Sequence, residues 1–183
     1  LLRPSEAFHA RENIQDRMSG RARAGRLHEQ ARRTLGEDGP PTYDYRFEAR
    51  VKGTSTFTQL LWGSFTGASA SRGDGVVTLD FQNFWDVGVN DLDTPHGSMV
   101  IDYSRSSDPV TTVLDLNAGT AGGFGVVSFN YVYAGWASGV GAFDYKFTNE
   151  LGDVLAVETG YDAAAAGRLR VTFTRASDGL VGT

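Results

Sequence analysis

The sequence of 183 residues contains no cysteine. This absence excludes disulfide bonds, thiol catalysis, thiolate metal sites and iron–sulfur clusters within the chain. The sequence also has no run of about 18 apolar residues, so we predict no transmembrane helix. Three histidines are present, and His96 is the only one beyond residue 41, so a site built from several histidine ligands is not expected.

Glycine and aromatic residues are abundant instead. The chain has 23 Gly, 11 Phe, 7 Tyr and 3 Trp, a composition typical of an all-β protein with many tight turns. Its length is enough for one domain with an appendage and a real core.

The first 40 residues differ from the rest. Residues 5–35 begin with a candidate N-cap, Ser5, and predict a helix or a pair of helices, weakened at Gly20 and Gly25. The apolar positions of this segment, spaced mostly by four or five, are Phe8, Ile14, Met18, Ala22, Leu27, Ala31 and Leu35. Gly36 to Pro41 reads as a linker. We therefore divide the chain into a helical segment with its linker (1–40) and a β domain (41–183).

Because the sequence starts with Leu1 rather than Met, we expect a trimmed or processed start, with any targeting signal upstream of it.

Charge is distributed unevenly along the chain. The formal net charge is −5, but residues 1–36 carry eight Arg against four acidic residues, which leaves −9 for the remainder. An acidic β domain argues against nucleic acid as a partner, because binding phosphates requires a basic surface.

Beyond residue 41 the hydrophobic period changes to two. In the stretch 43–52, Tyr43, Tyr45 and Phe47 alternate with charged residues, as in a half-buried strand. Similar runs predict about nine strands, near 43–52, 55–67, 75–85, 98–105, 110–117, 124–134, 140–149, 153–161 and 167–175. The short Gly-, Asp- and Ser-rich gaps indicate hairpins and hence an antiparallel meander. The prediction is a mainly β fold: a strongly curved antiparallel sheet, a half-barrel or barrel, with the helical segment packed on its concave side. A sandwich remains an alternative.

Three segments carry a resemblance to a known group of proteins. They are LAVETGYDAAAAGRLRVTFTRASDGLVGT, DFQNFWDVGVNDLDTPHGSMVIDYSRSSDPVTTVLDLN and FNYVYAGWASGVGAFDYKF. In order and motif, roughly residues 75–183 resemble uncharacterised exported β-rich lipoproteins of myxobacterial type. The lipid-bearing Cys and the Cys-Trp-Asp step of those proteins are absent from this sequence. The resemblance implies export and a β-rich fold, and no activity.

The stretch NFWDVGVNDLDTPHGS offers oxygen ligands at short spacing. Asp86, Asn90, Asp91 and Asp93 are the ligand types that Ca²⁺ prefers, which makes them candidate metal ligands. The spacing fits the calcium-loop pattern poorly. The alternative, which we favour, is a hairpin connection, because Asp, Asn, Gly and Pro are also turn residues. No other cofactor is predicted.

Five aromatic residues are candidate ligand-binding residues for a sugar or an apolar molecule: Trp62, Trp85, Tyr131, Tyr133 and Trp136. The alternative, core packing, is favoured because aromatic residues chiefly supply buried area in β proteins.

The sequence predicts no catalytic residues. Ser64 lies in WGSFTG, which is not the G-x-S-x-G elbow, and nothing selects a pair among Glu48, Glu150, Glu158 and the many Asp. Three functions remain open. The first is a non-enzymatic exported protein of the cell envelope (periplasm or outer-membrane surface) or extracellular space, acting as a binding or structural subunit of an assembly. The second is a carrier of a lipid or other apolar small molecule on the concave face, and the third is a hydrolase with an unrecognised carboxylate or Ser/His site.

Overall fold

The computed structural model describes residues 24–34, 40–69, 72–88, 96–119 and 126–183. These residues form one eleven-stranded sheet in which each strand pairs with its neighbours in sequence. The strands are β1 (Ala24–Thr34), β2 (Thr42–Val51), β3 (Thr58–Ser69), β4 (Arg72–Asp80), β5 (His96–Ser104), β6 (Val110–Gly119), β7 (Val126–Gly135), β8 (Gly141–Asn149), β9 (Val154–Tyr161), β10 (Gly167–Thr174) and β11 (Val181–Gly182). A short helix, α1 (Phe81–Asp86), follows β4. The predicted antiparallel meander is confirmed.

All nine predicted strands are present, with one error at the end of the third. The prediction extended that strand to residue 85, but β4 ends at Asp80 and α1 begins at Phe81. Asp80 caps the helix, because its carboxylate accepts a hydrogen bond of 2.9 Å from the backbone N–H of Asn83.

The helix predicted over residues 5–35 is wrong for residues 24–34. These residues form β1, which pairs antiparallel with β2, for example Glu29 with Phe47 and Ala31 with Tyr45. Helix propensity is a weak preference, and here the open hydrogen-bonding edge of β2 outweighs it. Residues 1–23 lie outside the described residues.

The sheet is open. Within the described residues β1 pairs only with β2, and β11 pairs only with β10. The barrel alternative is therefore wrong. Closure requires the first and last strands to pair in a staggered register, and β11, with two residues, presents almost no edge for the eleven residues of β1.

The strand register separates an apolar from a polar face, because directly paired residues share a face and neighbours along a strand alternate. One row of paired residues crosses nine strands: Tyr45, Gly63, Val77, Ile101, Leu114, Tyr131, Tyr145, Val157 and Val171. The parallel row beside it is Phe47, Leu61, Leu79, Met99, Leu116, Phe129, Phe147, Leu155 and Phe173. No residue in either row is charged. We call the side of the sheet that carries these rows the apolar face, and the opposite side the polar face.

The fully buried core is small. Within the described residues, Ala49, Leu60, Val87 and Val157 are the buried hydrophobic side chains, and none is more than 3% exposed. The first three form a cluster with Phe47 and Phe84, the latter from α1. This cluster lies where α1 meets the sheet. Most of the apolar face is only half-buried.

Candidate functional site

A groove of about 680 Å³ lies on the apolar face. We call it the groove; its lining residues are Tyr43, Phe65, Gly67, Ser69, Ile101, Tyr103, Arg105 and Thr112. They come from β2, β3, β5 and β6, at the end of the sheet opposite α1. The ring of Phe65 lies 6.2 Å from that of Tyr43 and 6.3 Å from that of Tyr103, centroid to centroid. Rings from β2, β3 and β5 thus form one aromatic wall across β4.

Two glycines of β4 allow these rings to lie close to the sheet. A Cβ atom added at Gly73 would come within 2.5 Å of Cζ of Phe65, and one added at Gly75 within 2.6 Å of Oη of Tyr103. Such distances are far below van der Waals contact. The missing side chains therefore create the space into which the two rings fold.

Tyr45 lies beside the groove, two residues after Tyr43 on the same face of β2. Its hydroxyl donates to the carbonyl of Val76 at 3.3 Å, across the strand between them. Burial, together with the nearby Tyr103 phenol, raises the pKa of Tyr45 above its ordinary value. The phenol is therefore neutral and serves as a hydrogen-bond donor.

A second aromatic surface lies on β7 and β8. Phe129 is paired with Phe147, with ring centroids 4.6 Å apart, and Tyr131 is paired with Tyr145. The rings of Tyr145 and Phe147 meet edge to face at 5.3 Å. With Phe143 these residues line a shallow cavity of about 260 Å³. Edge-to-face and tilted contacts are favourable aromatic arrangements, so these rings stabilise one another.

Tyr133 and Trp136 lie together at a third depression of about 280 Å³, at the end of β7. The hydroxyl of Tyr133 is 3.4 Å from that of Tyr161, another lining residue. This hydrogen bond raises the pKa of Tyr161. Trp136 is 39% exposed.

The five predicted ligand-binding aromatics do not form one site. Tyr131 and Tyr133 share the apolar face, and Trp136 follows on the turn after β7. Trp62 is paired with Arg46 and Thr78, which places it on the polar face. Trp85 lies on α1.

The predicted metal ligands are described only in part. Asn90, Asp91 and Asp93 lie outside the described residues. The carboxylate of Asp86 accepts a hydrogen bond of 2.8 Å from Nε2 of Gln82. No group of three or more His, Cys, Asp or Glu side chains within the described ranges is arranged to hold a metal ion.

His96 contacts two residues of α1, Gln82 and Trp85. Its Nδ1 atom lies 2.7 Å from Oε1 of Gln82, and its ring lies 4.8 Å from that of Trp85. Because an amide oxygen only accepts, Nδ1 carries the proton. His96 and Trp85 thereby fasten α1 to β5.

Two carboxylates organise turns. Asp74 accepts hydrogen bonds from the hydroxyls of Ser104 and Ser106, and these bonds lower its pKa. Asp153 accepts from the backbone N–H of Ala176 at 2.8 Å and from the side chain of Asn149, and these bonds lower its pKa in turn. Both carboxylates are therefore charged acceptors that tie hairpin connections to neighbouring strands.

None of the eight lining residues of the groove is among the five predicted ligand-binding aromatics, and Gly73 and Gly75, which make room for its rings, were also missed. A signal for the glycines existed: in RGDGVV they occupy alternate positions of a strand and so share one face. Nothing in the sequence marked Arg105, because its place beside the groove depends on the register of β4 with β5.

Comparison with known proteins adds no family to this picture. No protein-family model matches the chain, and neither characterised proteins nor solved structures gave a significant match. Among the residues that the structure describes, no helix has the length and apolar composition to cross a membrane.

Proposed function

We propose that this chain is a non-enzymatic, exported component of the cell envelope that binds a partner protein or assembly subunit through its apolar face. The observation that carries this proposal is the pair of uncharged rows that cross nine strands on one side of a single sheet. Large contiguous apolar patches on soluble proteins are characteristic of interaction sites.

The exposure of individual residues supports the proposal that a partner covers the apolar face. On the apolar face of β10, Leu169 is 68% exposed, Val171 42% and Phe173 41%. Removing such side chains from water is favourable by about 25 cal/mol per Å² of apolar surface. A partner seated on this face would gain that free energy.

Curvature of the sheet is part of the proposal. Antiparallel sheets of many strands twist and coil. The apolar side chains of β2 to β8 are half-buried. However, α1 is the only described element that packs on the sheet. A sheet that curls toward its apolar face accounts for both facts. The resemblance to exported β-rich lipoproteins supports the envelope location.

The experiment is a matched pair of substitutions on β10. Leu169→Glu introduces a charge on the apolar face, and Thr172→Glu introduces the same charge on the polar face of the same strand. Cells producing each variant are fractionated, and the envelope-bound share is measured by immunoblot. We expect Leu169→Glu to release the protein and Thr172→Glu to leave it bound. Equal behaviour of the two variants, or absence of the native chain from the envelope, contradicts the proposal.

A carrier of an apolar small molecule is the second candidate function. The groove favours it, because about 680 Å³ lies within the range of about 300–1,000 Å³ typical of ligand pockets. Its lining is mainly apolar and aromatic, with few polar groups, as such pockets usually are.

A further inference from the structure

We propose that the groove binds a long-chain fatty acid, with the acyl chain along the aromatic wall and the carboxylate on the guanidinium of Arg105. The inference rests on the second candidate function above, the carrier, and names its ligand and the residue that selects it.

The lining of the groove separates into an apolar body and a charged rim. Ile101 and the rings of Phe65 and Tyr103 form the body. Arg105, one residue beyond β5, is the only charged residue among the lining residues described. A ligand that matches this arrangement has a long apolar part and one anionic end.

Arg105 is held in place by its backbone and is available through its side chain. Its N–H donates to the carbonyl of Gly73 at 2.9 Å, which fixes the chain where it leaves β5. The guanidinium makes no ion pair with any carboxylate of the described residues. The nearby carboxylate of Asp74 is already occupied by the hydroxyls of Ser104 and Ser106.

A carboxylate is the anion that this geometry favours. The planar guanidinium presents two parallel N–H donors, which match the two oxygens of a carboxylate. Ser69 and Thr112 add hydroxyl groups to the groove lining.

The course of the groove across the sheet suits an extended acyl chain. Its lining residues come from β2, β3, β5 and β6, so the groove crosses five neighbouring strands. The groove meets the apolar rows at Ile101, which is paired with Leu114. One extended acyl chain can lie across these strands along the apolar face.

The test uses hexadecanoic acid and its neutral analogue, hexadecan-1-ol, each displacing a fluorescent dansyl fatty acid from the whole chain. We expect hexadecanoic acid to displace the probe more effectively than the alcohol. Arg105→Gln should weaken binding of the acid by about tenfold or more, the effect of losing charge-assisted hydrogen bonds, and leave binding of the alcohol unchanged. Arg168→Gln, on the polar face, is the matched control and should bind both ligands normally.

A second variant tests the location without removing the charge. Thr112→Phe fills the groove and should weaken binding of both ligands, with the thermal midpoint of each variant measured to confirm folding. Equal affinity for acid and alcohol, with no effect of Arg105→Gln, overturns the fatty acid assignment while the carrier function stands. Binding that survives Thr112→Phe in the folded variant overturns the location. If neither ligand displaces the probe, both this inference and the carrier function fail. Binding to the cell envelope through the apolar face is tested separately by the variants Leu169→Glu and Thr172→Glu.

Discussion

The phenol ring of Tyr103 lies directly over Gly75 on the adjacent strand, so that a Cβ atom at position 75 would come within 2.6 Å of Oη. The two residues are register partners, and the ring fills the space that the missing side chain leaves. This contact helps to form the groove. It also requires glycine at position 75 of β4, because any side chain there would clash with the ring.

Gly75→Ala should destabilise the protein by about 1–3 kcal/mol, the usual cost of overpacking. The added methyl group would meet the carbonyl of Ser64 at 2.7 Å as well as the ring of Tyr103. Urea unfolding measures the effect. Gly160→Ala is the control, because a Cβ atom at that strand position meets nothing within 4 Å. Equal destabilisation by both variants would show that the ring contact is unimportant.

Leu60→Ala should cost about 2–5 kcal/mol of unfolding free energy. The side chain is 0% exposed and packs against Ala49 and Val87, so its removal leaves a cavity beneath α1. Leu151→Ala serves as the comparison, because Leu151 is 79% exposed and should change stability little. A small effect at Leu60 would mean that α1 collapses onto the sheet to fill the space.

Acid should weaken the hairpin between β10 and β11 through Asp153. Its folded-state pKa is depressed by the N–H of Ala176 and by Asn149, so its contribution to stability is complete above the ordinary Asp pKa of about 3.9 and is lost as the pH falls through the lower folded value. Asp153→Asn should therefore flatten the fall in thermal midpoint between about pH 5 and pH 2. An unchanged pH profile in this variant contradicts the assignment.

Tyr133→Phe should lower the raised pKa of Tyr161 toward its ordinary value, because the hydroxyl that stabilises the neutral phenol is removed. Titration followed by NMR of ¹³Cζ-labelled tyrosine resolves the individual phenols. Tyr45 provides an internal control: its pKa is raised chiefly by burial, so it should remain raised in the variant.

Calcium should leave the thermal midpoint unchanged. Asp86 already accepts a hydrogen bond from Gln82, as expected of a residue that ends a helix and enters a connection. The measurement is thermal unfolding in EDTA and then in millimolar calcium. Because a ligand of the native state raises the midpoint by mass action, a calcium-dependent rise would contradict this prediction and show that the native protein binds calcium.

The β domain was predictable because its signals are local. Alternation in stretches such as 43–52 and the short Gly- and Asp-rich gaps determine strands and hairpins without reference to the rest of the chain. The prediction failed at Phe81–Asp86, where the capping carboxylate of Asp80 and packing against the sheet favour a helix over continued alternation.

The sequence by itself determined the antiparallel meander and one apolar side for each strand, since both follow from periodicity and turn chemistry. Only the tertiary structure decided that Ala24–Thr34 is a strand, that the sheet is open, and that Trp62 lies on the other face from Tyr131. It also decided that Arg105 lies beside Phe65 and Tyr103. The physical reason is register: the pairing between adjacent strands sets which side chains meet, and a shift of one residue would move each to the opposite face.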